Sequence, residues 1–184
     1  MIILLTGMPG SGKGEIARAF KRAGVPVVSM GDTVREEADK RGIPKTPEGL
    51  KALSIELRKE MGEDAIARLA IPKVRKLLEK RSVVVVEGIR SPAEVEAFRR
   101  AFPREKVLIV AVHSPPHQRF ERLRRRKRSD DPRTWEEFVD RDKKELGFGI
   151  GEVIALADYM IVNDGHLEDY RLRIRELISK LLPE

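Results

Sequence analysis

Four glycines and one lysine occur near the start of the chain at a spacing suited to binding phosphate. Residues 7–14 read Gly-Met-Pro-Gly-Ser-Gly-Lys-Gly. Glycines let the backbone curl so that successive N–H groups face inward, where an anion can accept hydrogen bonds from them. Lys13 would then reach the outer phosphates of a nucleotide as a point charge. The predicted phosphate-binding residues are Gly7, Met8, Pro9, Gly10, Ser11, Gly12, Lys13 and Gly14.

The segments on either side of this loop have the composition of a strand and a helix. Residues 1–5 form an apolar run, and residues 15–22 contain good helix formers. A phosphate in the loop would therefore lie at the positive N-terminus of a helix. A glycine-rich turn without this role would need neither the flanking elements nor a lysine at this position.

The residue after the lysine departs from the commonest form of such loops. Ser or Thr usually stands there and ligates Mg²⁺, but this chain has Gly14 followed by Glu15. We therefore predict that the protein has no dedicated metal site. Mg²⁺ would be held by the nucleotide phosphates, by water and by carboxylates elsewhere in the chain. Glu15 is assigned to the nucleotide site by position. The alternative is a surface carboxylate that complements the helix dipole.

Composition narrows the class of protein. A chain of 184 residues with 41% hydrophobic residues forms one ordinary domain. It has no cysteine, and its three histidines lack metal-ligand spacing. No apolar run approaches the roughly 20 residues that span a bilayer. We predict a cytoplasmic protein without a membrane partner or a structural metal.

The positive charge is concentrated in one stretch. The net charge is +7, and six of the seven residues from 122 to 128 are basic. A basic helix face can bind any polyanion, including nucleic acid. Aromatic residues that would stack on bases are absent from this run. The pattern favours small phosphate compounds over nucleic acid.

Apolar and amphipathic segments alternate along the chain. The predicted strands are 2–5, 25–30, 83–86, 107–112 and 159–162. The predicted helices are 14–23, 33–41, 48–60, 63–80, 92–101, 116–128, 133–146 and 167–182. This alternation predicts an α/β fold with a five-stranded parallel sheet, right-handed crossovers and helices on both faces.

Two connections are longer than a crossover needs. Residues 31–82 contain two or three helices, and residues 117–158 contain the basic run and an acidic turn. Ligands of open parallel sheets lie beyond the carboxyl ends of the strands, so these connections are candidates for holding and covering a substrate. Residues 147–151, Gly-Phe-Gly-Ile-Gly, follow a helix, and we interpret them as a hinge or helix connector.

Charged residues follow two of the predicted strands. Asp32 and Arg35 follow the second strand, and Glu87 and Arg90 follow the third. We expect both strands to flank the first strand, which would bring these four side chains around Lys13.

At these residues the sequence resembles the nucleoside-monophosphate kinases, adenylate kinase in particular. Residues 7–14 have the adenylate kinase form of the loop, including the glycine after the lysine. Residues 29–35, Ser-Met-Gly-Asp-Thr-Val-Arg, are similar to its acceptor segment, and residues 87–90, Glu-Gly-Ile-Arg, to its Asp-Gly-Phe-Pro-Arg segment. Residues 128–131, Arg-Ser-Asp-Asp, with Arg141, resemble its arginine-bearing lid.

The end of the chain is similar to a related family. Residues 157–165, Ala-Asp-Tyr-Met-Ile-Val-Asn-Asp-Gly, resemble the last strand and base-contacting loop of dephospho-coenzyme A kinases. The closest resemblance overall is to an archaeal family of adenylate-kinase-related proteins that share the GIRS and RSDDP segments.

The resemblance implies a single three-layer P-loop kinase domain over residues 1–184, with an acceptor-binding insertion at about 31–80 and a lid at about 122–146. It implies transfer of the γ-phosphoryl group of ATP, with Mg²⁺, to a nucleoside monophosphate or similar nucleotide. The implied catalytic residues are Lys13, Asp32, Glu87, Arg128 and Arg141. The implied ATP-binding residues are the phosphate loop, Glu15, Arg122, Arg126 and Asn163. The implied acceptor-binding residues are Asp32, Arg35 and Arg90.

Two alternatives stay open at the level of sequence. A kinase similar to dephospho-coenzyme A kinase would phosphorylate a hydroxyl, for which Asp32 would be the base. A non-catalytic nucleic-acid-binding P-loop protein would show salt-sensitive binding without turnover. A GTPase is disfavoured because the chain has no Asn-Lys-x-Asp segment. The sequence leaves four points open: the identity of the acceptor, the choice of ATP or GTP as donor, the carboxylate that positions Mg²⁺, and the oligomeric state.

Overall fold

The computed structural model describes residues 1–182, which contain five strands and nine helices. The strands are β1 (Ile2–Gly7), β2 (Val27–Ser29), β3 (Val84–Ile89), β4 (Val107–His113) and β5 (Tyr159–Val162). The helices are α1 (Lys13–Arg22), α2 (Met30–Arg41), α3 (Pro47–Met61), α4 (Ala65–Leu78), α5 (Pro92–Ala101), α6 (Pro116–Arg126), α7 (Trp135–Gly147), α8 (Ile150–Ala155) and α9 (Leu167–Leu181).

The strands form one parallel sheet in the order β2-β3-β1-β4-β5. Central strand β1 begins with four apolar residues and is buried throughout because helices cover both faces of the sheet. Ile2 and Leu4 face the cluster packed under α2 to α5, whereas Ile3 and Leu5 face the cluster packed under α1 and α9. The three-layer α/β fold and the five-stranded parallel sheet are confirmed.

The prediction that the second strand flanks the first was wrong. β2 pairs with β3, and β3 separates it from β1. Proline lacks an amide hydrogen and is tolerated at sheet edges, so Pro26 at the start of this run already pointed to an edge strand. Leu5 is instead flanked by Glu87 and Val110.

Capping side chains define the starts of the helices that surround the site. Ser29 caps α2 by accepting from the Asp32 amide at 3.3 Å, so the predicted strand ends before Met30 and the helix begins earlier than expected. Thr46 caps α3 with Pro47 in the first turn. Thr134 forms a capping box with Glu137 at α7.

The two long connections lie where the sequence placed them. The first contains α2, α3 and α4, and the second contains α6, α7 and α8. Residues 147–151 join α7 to the short helix α8, which the sequence did not predict as a helix. Among residues 1–182, no helix is both long enough and apolar enough to cross a bilayer.

Candidate active site

The phosphate loop between β1 and α1 is held through its carbonyl groups, and those from Pro9 to Gly12 are bound by side chains of other elements. Every carbonyl oxygen from Gly7 to Gly12 accepts a hydrogen bond from the protein. The side-chain donors are Lys13 to Gly7 and Met8, Arg119 to Pro9, Arg122 to Gly10, Asn163 to Ser11 and Tyr170 to Gly12. Because a peptide group points its carbonyl and amide in opposite directions, these bonds turn the amides toward the inside of the loop.

Four amides in the loop and at the start of α1 have no protein partner among the described residues. In the described part of the chain, those of Gly10, Gly12, Lys13 and Gly14 donate to no protein acceptor. Ser11 Oγ is fully buried and also has no partner among residues 1–182. Backbone amides that converge at a helix N-terminus form a site for an anion such as phosphate. This cradle fits the predicted nucleotide.

Lys13 lies inside the site rather than in solvent. Its Nζ donates to the carbonyls of Gly7 and Met8, the latter at 3.2 Å. Burial lowers the pKa of Lys13 to about 8, while the Glu145 carboxylate opposes that shift and Arg90 reinforces it. The ammonium therefore stands at a position where a phosphate anion would stabilise its charge.

The affinity for nucleotide should fall at alkaline pH because of this lysine. Bound phosphates raise the pKa of Lys13, so binding above pH 8 requires uptake of a proton. ADP is fully ionised in this range, since the second phosphate pKa is about 6. We expect the ADP dissociation constant, measured by calorimetry, to rise about tenfold from pH 7 to pH 9. A constant value, or the same rise in Lys13→Ala, would contradict this assignment.

Arg119 is a buried arginine that contacts the phosphate loop. Only 4% of it is exposed, and its guanidinium makes two hydrogen bonds to Asp142 of α7, at 2.6 and 2.9 Å. It also donates to the carbonyls of Pro9 and Ser114, at 3.2 and 3.0 Å. Its guanidinium carbon lies 5.0 Å from the centre of the Phe138 ring. Arg119 thus joins the phosphate loop to α7.

Arg122 and Asn163 also contact the loop. Arg122 donates to Gly10 O at 3.2 Å and Ser114 Oγ at 2.6 Å. Asn163 is 7% exposed, and its amide donates to Ser11 O at 2.9 Å. A contact of either residue with ATP stays a prediction, since both are placed here as supports of the loop.

Gly12 is required by this packing. Its φ of 104° is unfavourable for other residues, and a Cβ there would lie 2.6 Å from Asn163 Nδ2. Tyr170 OH donates to Gly12 O at 2.8 Å, and burial raises the pKa of this phenol, which keeps it a donor. The last strand and helix thus hold the loop against α1.

A bulge in β3 directs residues toward the loop. The register with β1 shifts after Leu5↔Glu87, so Gly88 is the extra residue, with φ of 92°. Thr6 Oγ1 donates to Ile89 O at 2.8 Å and secures the strand after the bulge. The charges of Glu87 and Arg90 both act on Lys13, as the sequence predicted.

Asp32 and Arg35 form an exposed ion pair on α2. Asp32 occupies the first turn, and its carboxylate is 2.8 Å from Arg35 Nη1. Both side chains are more than half exposed. β2, which leads into α2, is an edge strand and is separated from β1 by β3. Their predicted roles in binding the acceptor stay predictions.

A second set of buried charges lies beside Arg90. Glu94 is 1% exposed, and burial raises the pKa of its carboxyl group. It accepts from the Arg90 amide at 2.8 Å and lies 3.8 Å from Arg58 of α3. The Arg58 guanidinium also lies 4.7 Å from the centre of the Phe148 ring. The helical insertion thereby meets the α7–α8 connection.

Asp131 organises the connection between α6 and α7. Burial alone would raise its pKa, but hydrogen bonds from Arg126 and from the Arg128 amide outweigh burial and lower it. Arg141 also approaches this carboxylate, at 3.4 Å. Lys127, where the segment leaves α6, has φ of 54°. The loop therefore has a fixed acidic centre, while the Arg128 side chain is exposed.

Glu15 lies on the outer side of α1. It forms an ion pair with Arg18 at 2.6 Å and lies 3.7 Å from Arg171 of α9. The hydrogen bond from Arg18 is the main cause that lowers the pKa of Glu15. The surface-carboxylate alternative accounts for this geometry, and nucleotide binding by Glu15 stays a prediction.

Several residues of the site were missed by sequence reasoning. They are Arg58, Glu94, Arg119, Asp142, Glu145, Phe148 and Tyr170. Charged residues on amphipathic helices read as solvated surface, so only tertiary contacts distinguish them. One signal was available for Arg119, which lies one helical turn before Leu123 on the apolar face of α6.

Protein ligands for a metal are sparse. Within residues 1–182, no three histidine or acidic side chains converge as a metal site. Gly14 offers no side chain, and Glu87 is a carboxylate whose charge reaches Lys13. This donor set fits Mg²⁺ that arrives bound to nucleotide phosphates and keeps several waters.

The sheet order, the phosphate loop and the helices around it define the fold of the P-loop kinases. TT1252 from Thermus thermophilus shares the fold with a TM-score of 0.64 at 22% identity, over 100% of this chain and 98% of that chain. Shikimate kinase from Bacteroides thetaiotaomicron has a TM-score of 0.61 at 22% identity, over 98% of both chains.

Sequence comparison identifies closer relatives. Residues 6–139 match the family model described as AAA domain. The UPF0200 protein PH1008 of Pyrococcus horikoshii is 64% identical over 182 residues, which cover 99% of this chain and 98% of the relative. The UPF0200 protein of Hyperthermus butylicus is 49% identical over 181 residues, 98% of this chain and 95% of the relative. The chain therefore belongs to the UPF0200 family, which confirms the predicted archaeal relationship.

Proposed function

We propose that this chain is an ATP-dependent small-molecule kinase that transfers the γ-phosphoryl group to a nucleoside monophosphate or similar nucleotide. The observation that carries the proposal is the phosphate loop, whose carbonyls from Pro9 to Gly12 are bound by side chains of other elements, while most of its amides are left for an anion beside Lys13. Names of structural relatives, such as shikimate kinase, support phosphoryl transfer without fixing the acceptor.

The donor would lie on the loop at the N-terminus of α1. The amides of Gly10, Gly12 and Gly14 would bind the phosphates, and Lys13 would neutralise charge that develops on the transferring group. Mg²⁺ would enter with these phosphates and reduce their charge. Glu87 would orient its waters from the end of β3.

The acceptor would enter beyond the carboxyl end of β3. Arg90 would hold the phosphate of the acceptor, because the charge of Arg90 already acts on Lys13 in the donor loop. Asp32 and Arg35 would contact the acceptor from the insertion at 31–80, over the edge of the sheet. An acceptor phosphate is itself an anionic nucleophile, so this reaction needs positioning and charge neutralisation rather than a base.

The lid at 122–146 would complete the site. Asp131 fixes Arg126 and Arg141, and Lys127 marks a point where the loop can turn. The exposed Arg128 would reach the transferring phosphoryl group when the lid covers it. Closure would also exclude water and limit hydrolysis of ATP.

Replacing Arg128 by alanine should lower kcat by about ten- to a hundredfold, while the dissociation constant of ADP changes less than about twofold. The expected difference arises because a lid arginine strengthens its contact as charge spreads in the transition state. Arg133→Ala, in the same loop, is the matched control and should behave like the wild type. Steady-state kinetics and calorimetry measure the two quantities. Loss of ADP binding with unchanged kcat would show that Arg128 binds the nucleotide in the ground state and does not act as a lid residue.

The acceptor class is tested by a screen for ADP release. Nucleoside monophosphates, deoxynucleotides, dephospho-coenzyme A and sugar phosphates are each added with ATP and Mg²⁺. We expect acceptor-dependent ADP release with at least one monophosphate. Release with dephospho-coenzyme A alone would favour the hydroxyl acceptor and a role for Asp32 as base. No release with any acceptor, together with salt-sensitive nucleic-acid binding, would favour the non-catalytic alternative.

A further inference from the structure

Glu145 is a buried carboxylate beside Arg90. It belongs to the last turn of α7, is 8% exposed, and its carboxylate is 3.5 Å from Arg90 Nε. Its charge also acts on Lys13 and on Arg58. One carboxylate from the lid side therefore contacts Arg90 at the end of β3 and acts electrostatically on Lys13 of the donor loop and Arg58 of the helical insertion.

The charges in this part of the site balance without a substrate. The cations are Lys13, Arg58, Arg90 and Arg119, and the carboxylates are Glu87, Glu94, Glu145 and Asp142, the last paired with Arg119. A phosphate dianion that enters beside Arg90 would add two negative charges to this set. On Arg90 it would meet the Glu145 carboxylate, and the two anions would repel each other unless that carboxylate withdraws.

Glu145 is the carboxylate best placed to withdraw. Glu94 is 1% exposed and accepts a hydrogen bond from the Arg90 amide, so it is fixed. The contact between Glu145 and Arg90 is longer than a hydrogen bond, and the Arg90 side chain is 44% exposed. Phosphate binds a guanidinium through two short charge-assisted bonds, which are stronger than this contact.

We propose that Glu145 holds the place of the acceptor's phosphate, and that a phosphate dianion replaces its carboxylate on Arg90. This inference rests on the proposed function, because it requires an acceptor phosphate beside the donor loop. A neutral hydroxyl cannot replace a carboxylate on a guanidinium. Glu145 therefore acts as a specificity determinant that selects dianionic acceptors.

The replacement needs only a side-chain movement. Asp142, one helical turn before Glu145, stays bound to Arg119 through two hydrogen bonds. Arg119 in turn supports Pro9 of the phosphate loop. Rotation of the Glu145 side chain thus frees Arg90 while α7 and the donor loop remain in place.

The test is Glu145→Gln, which keeps the shape of the side chain and removes its charge. AMP, GMP, CMP and UMP are titrated by calorimetry into the protein saturated with ADP and Mg²⁺. We expect each monophosphate that binds the wild type to bind Glu145→Gln about tenfold more tightly, because no counter-ion has to be displaced. The corresponding nucleosides, which lack the phosphate, should bind both proteins equally.

Glu136→Gln is the matched control, since it makes the same change of charge on an exposed residue of α7. It should bind the monophosphates within about twofold of the wild type. Equal affinities for Glu145→Gln and Glu136→Gln would overturn the proposal. An equal gain in affinity for the nucleosides would also overturn it. A gain in affinity for ADP alone would overturn it too, because the effect of Glu145 would then lie at the donor site. Binding of none of the four monophosphates to either variant would also overturn it.

Failure of this inference is distinguishable from failure of the proposed function. Turnover in the screen together with unchanged monophosphate affinity in Glu145→Gln would contradict the role of Glu145 as a counter-ion, and the proposed kinase activity would still stand. If Glu145→Gln does not fold by circular dichroism, Glu145→Asp withdraws the same charge by one methylene group. It should then bind the monophosphates more tightly than the wild type, and equal or weaker binding would overturn the proposal.

Discussion

Lys13→Ala is expected to abolish phosphoryl transfer while leaving the fold intact. The ammonium neutralises phosphate charge only when phosphates occupy the loop, and losing about 2–3 kcal/mol of such stabilisation lowers the rate by at least one to two decades. Burial lowers the pKa of Lys13 to about 8, so the folded free protein disfavours the ammonium charge, and its removal should not destabilise the fold at neutral pH. Steady-state kinetics measure the first effect and circular dichroism the second.

The matched control is Lys21→Ala, which removes an exposed lysine from the last turn of the same helix. Its turnover should equal that of the wild type. Retention of more than about a tenth of wild-type turnover by Lys13→Ala would contradict the assignment of the loop.

Arg119→Met is expected to lower the free energy of unfolding by about 3 kcal/mol or more. The substitution leaves Asp142 as a partly buried charge without its partner, and such losses are among the largest that single changes cause. It also removes the donor from Pro9 O, so nucleotide affinity should fall together with stability. Denaturant unfolding followed by the fluorescence of Trp135 measures the stability.

Arg124→Met is the control for this experiment. Arg124 lies on the same helix and pairs with Glu121, but both side chains are about half exposed. Its free energy of unfolding should change by less than about 0.5 kcal/mol. Adding Asp142→Asn to Arg119→Met should restore part of the stability, because it removes the uncompensated charge. Equal effects of Arg119→Met and Arg124→Met would show that the pair with Asp142 is not structural.

The sequence predicted those parts of the molecule that local chemistry determines. The phosphate loop, the apolar strands and the capped helix starts each carry their own signal, as Thr46 and Pro47 illustrate at α3. The convergence of Glu87 and Arg90 on Lys13 followed from parallel strands that end at one edge of the sheet.

The remaining features depend on contacts between distant segments. Arg119 and Asp142 are separated by 23 residues, and nothing in either helix alone indicates that they meet. The sequence does not show which strand pairs with β1, and β2 lies beside β3 instead. Asp32 and Arg35, which follow β2, were expected around Lys13, whereas the structure places them in an exposed ion pair on α2. Glu145 reads as one charge among many on an amphipathic helix, and only its burial beside Arg90 distinguishes it.

The most direct test of the central claim follows the γ-phosphate itself. ATP labelled with ³²P at the γ-position is incubated with the protein, Mg²⁺ and the best acceptor from the screen, and the products are separated by chromatography. The account predicts that the label appears on the acceptor, at a rate that Lys13→Ala reduces at least tenfold. Label found only in inorganic phosphate, or transfer that is equal in Lys13→Ala, would contradict the account.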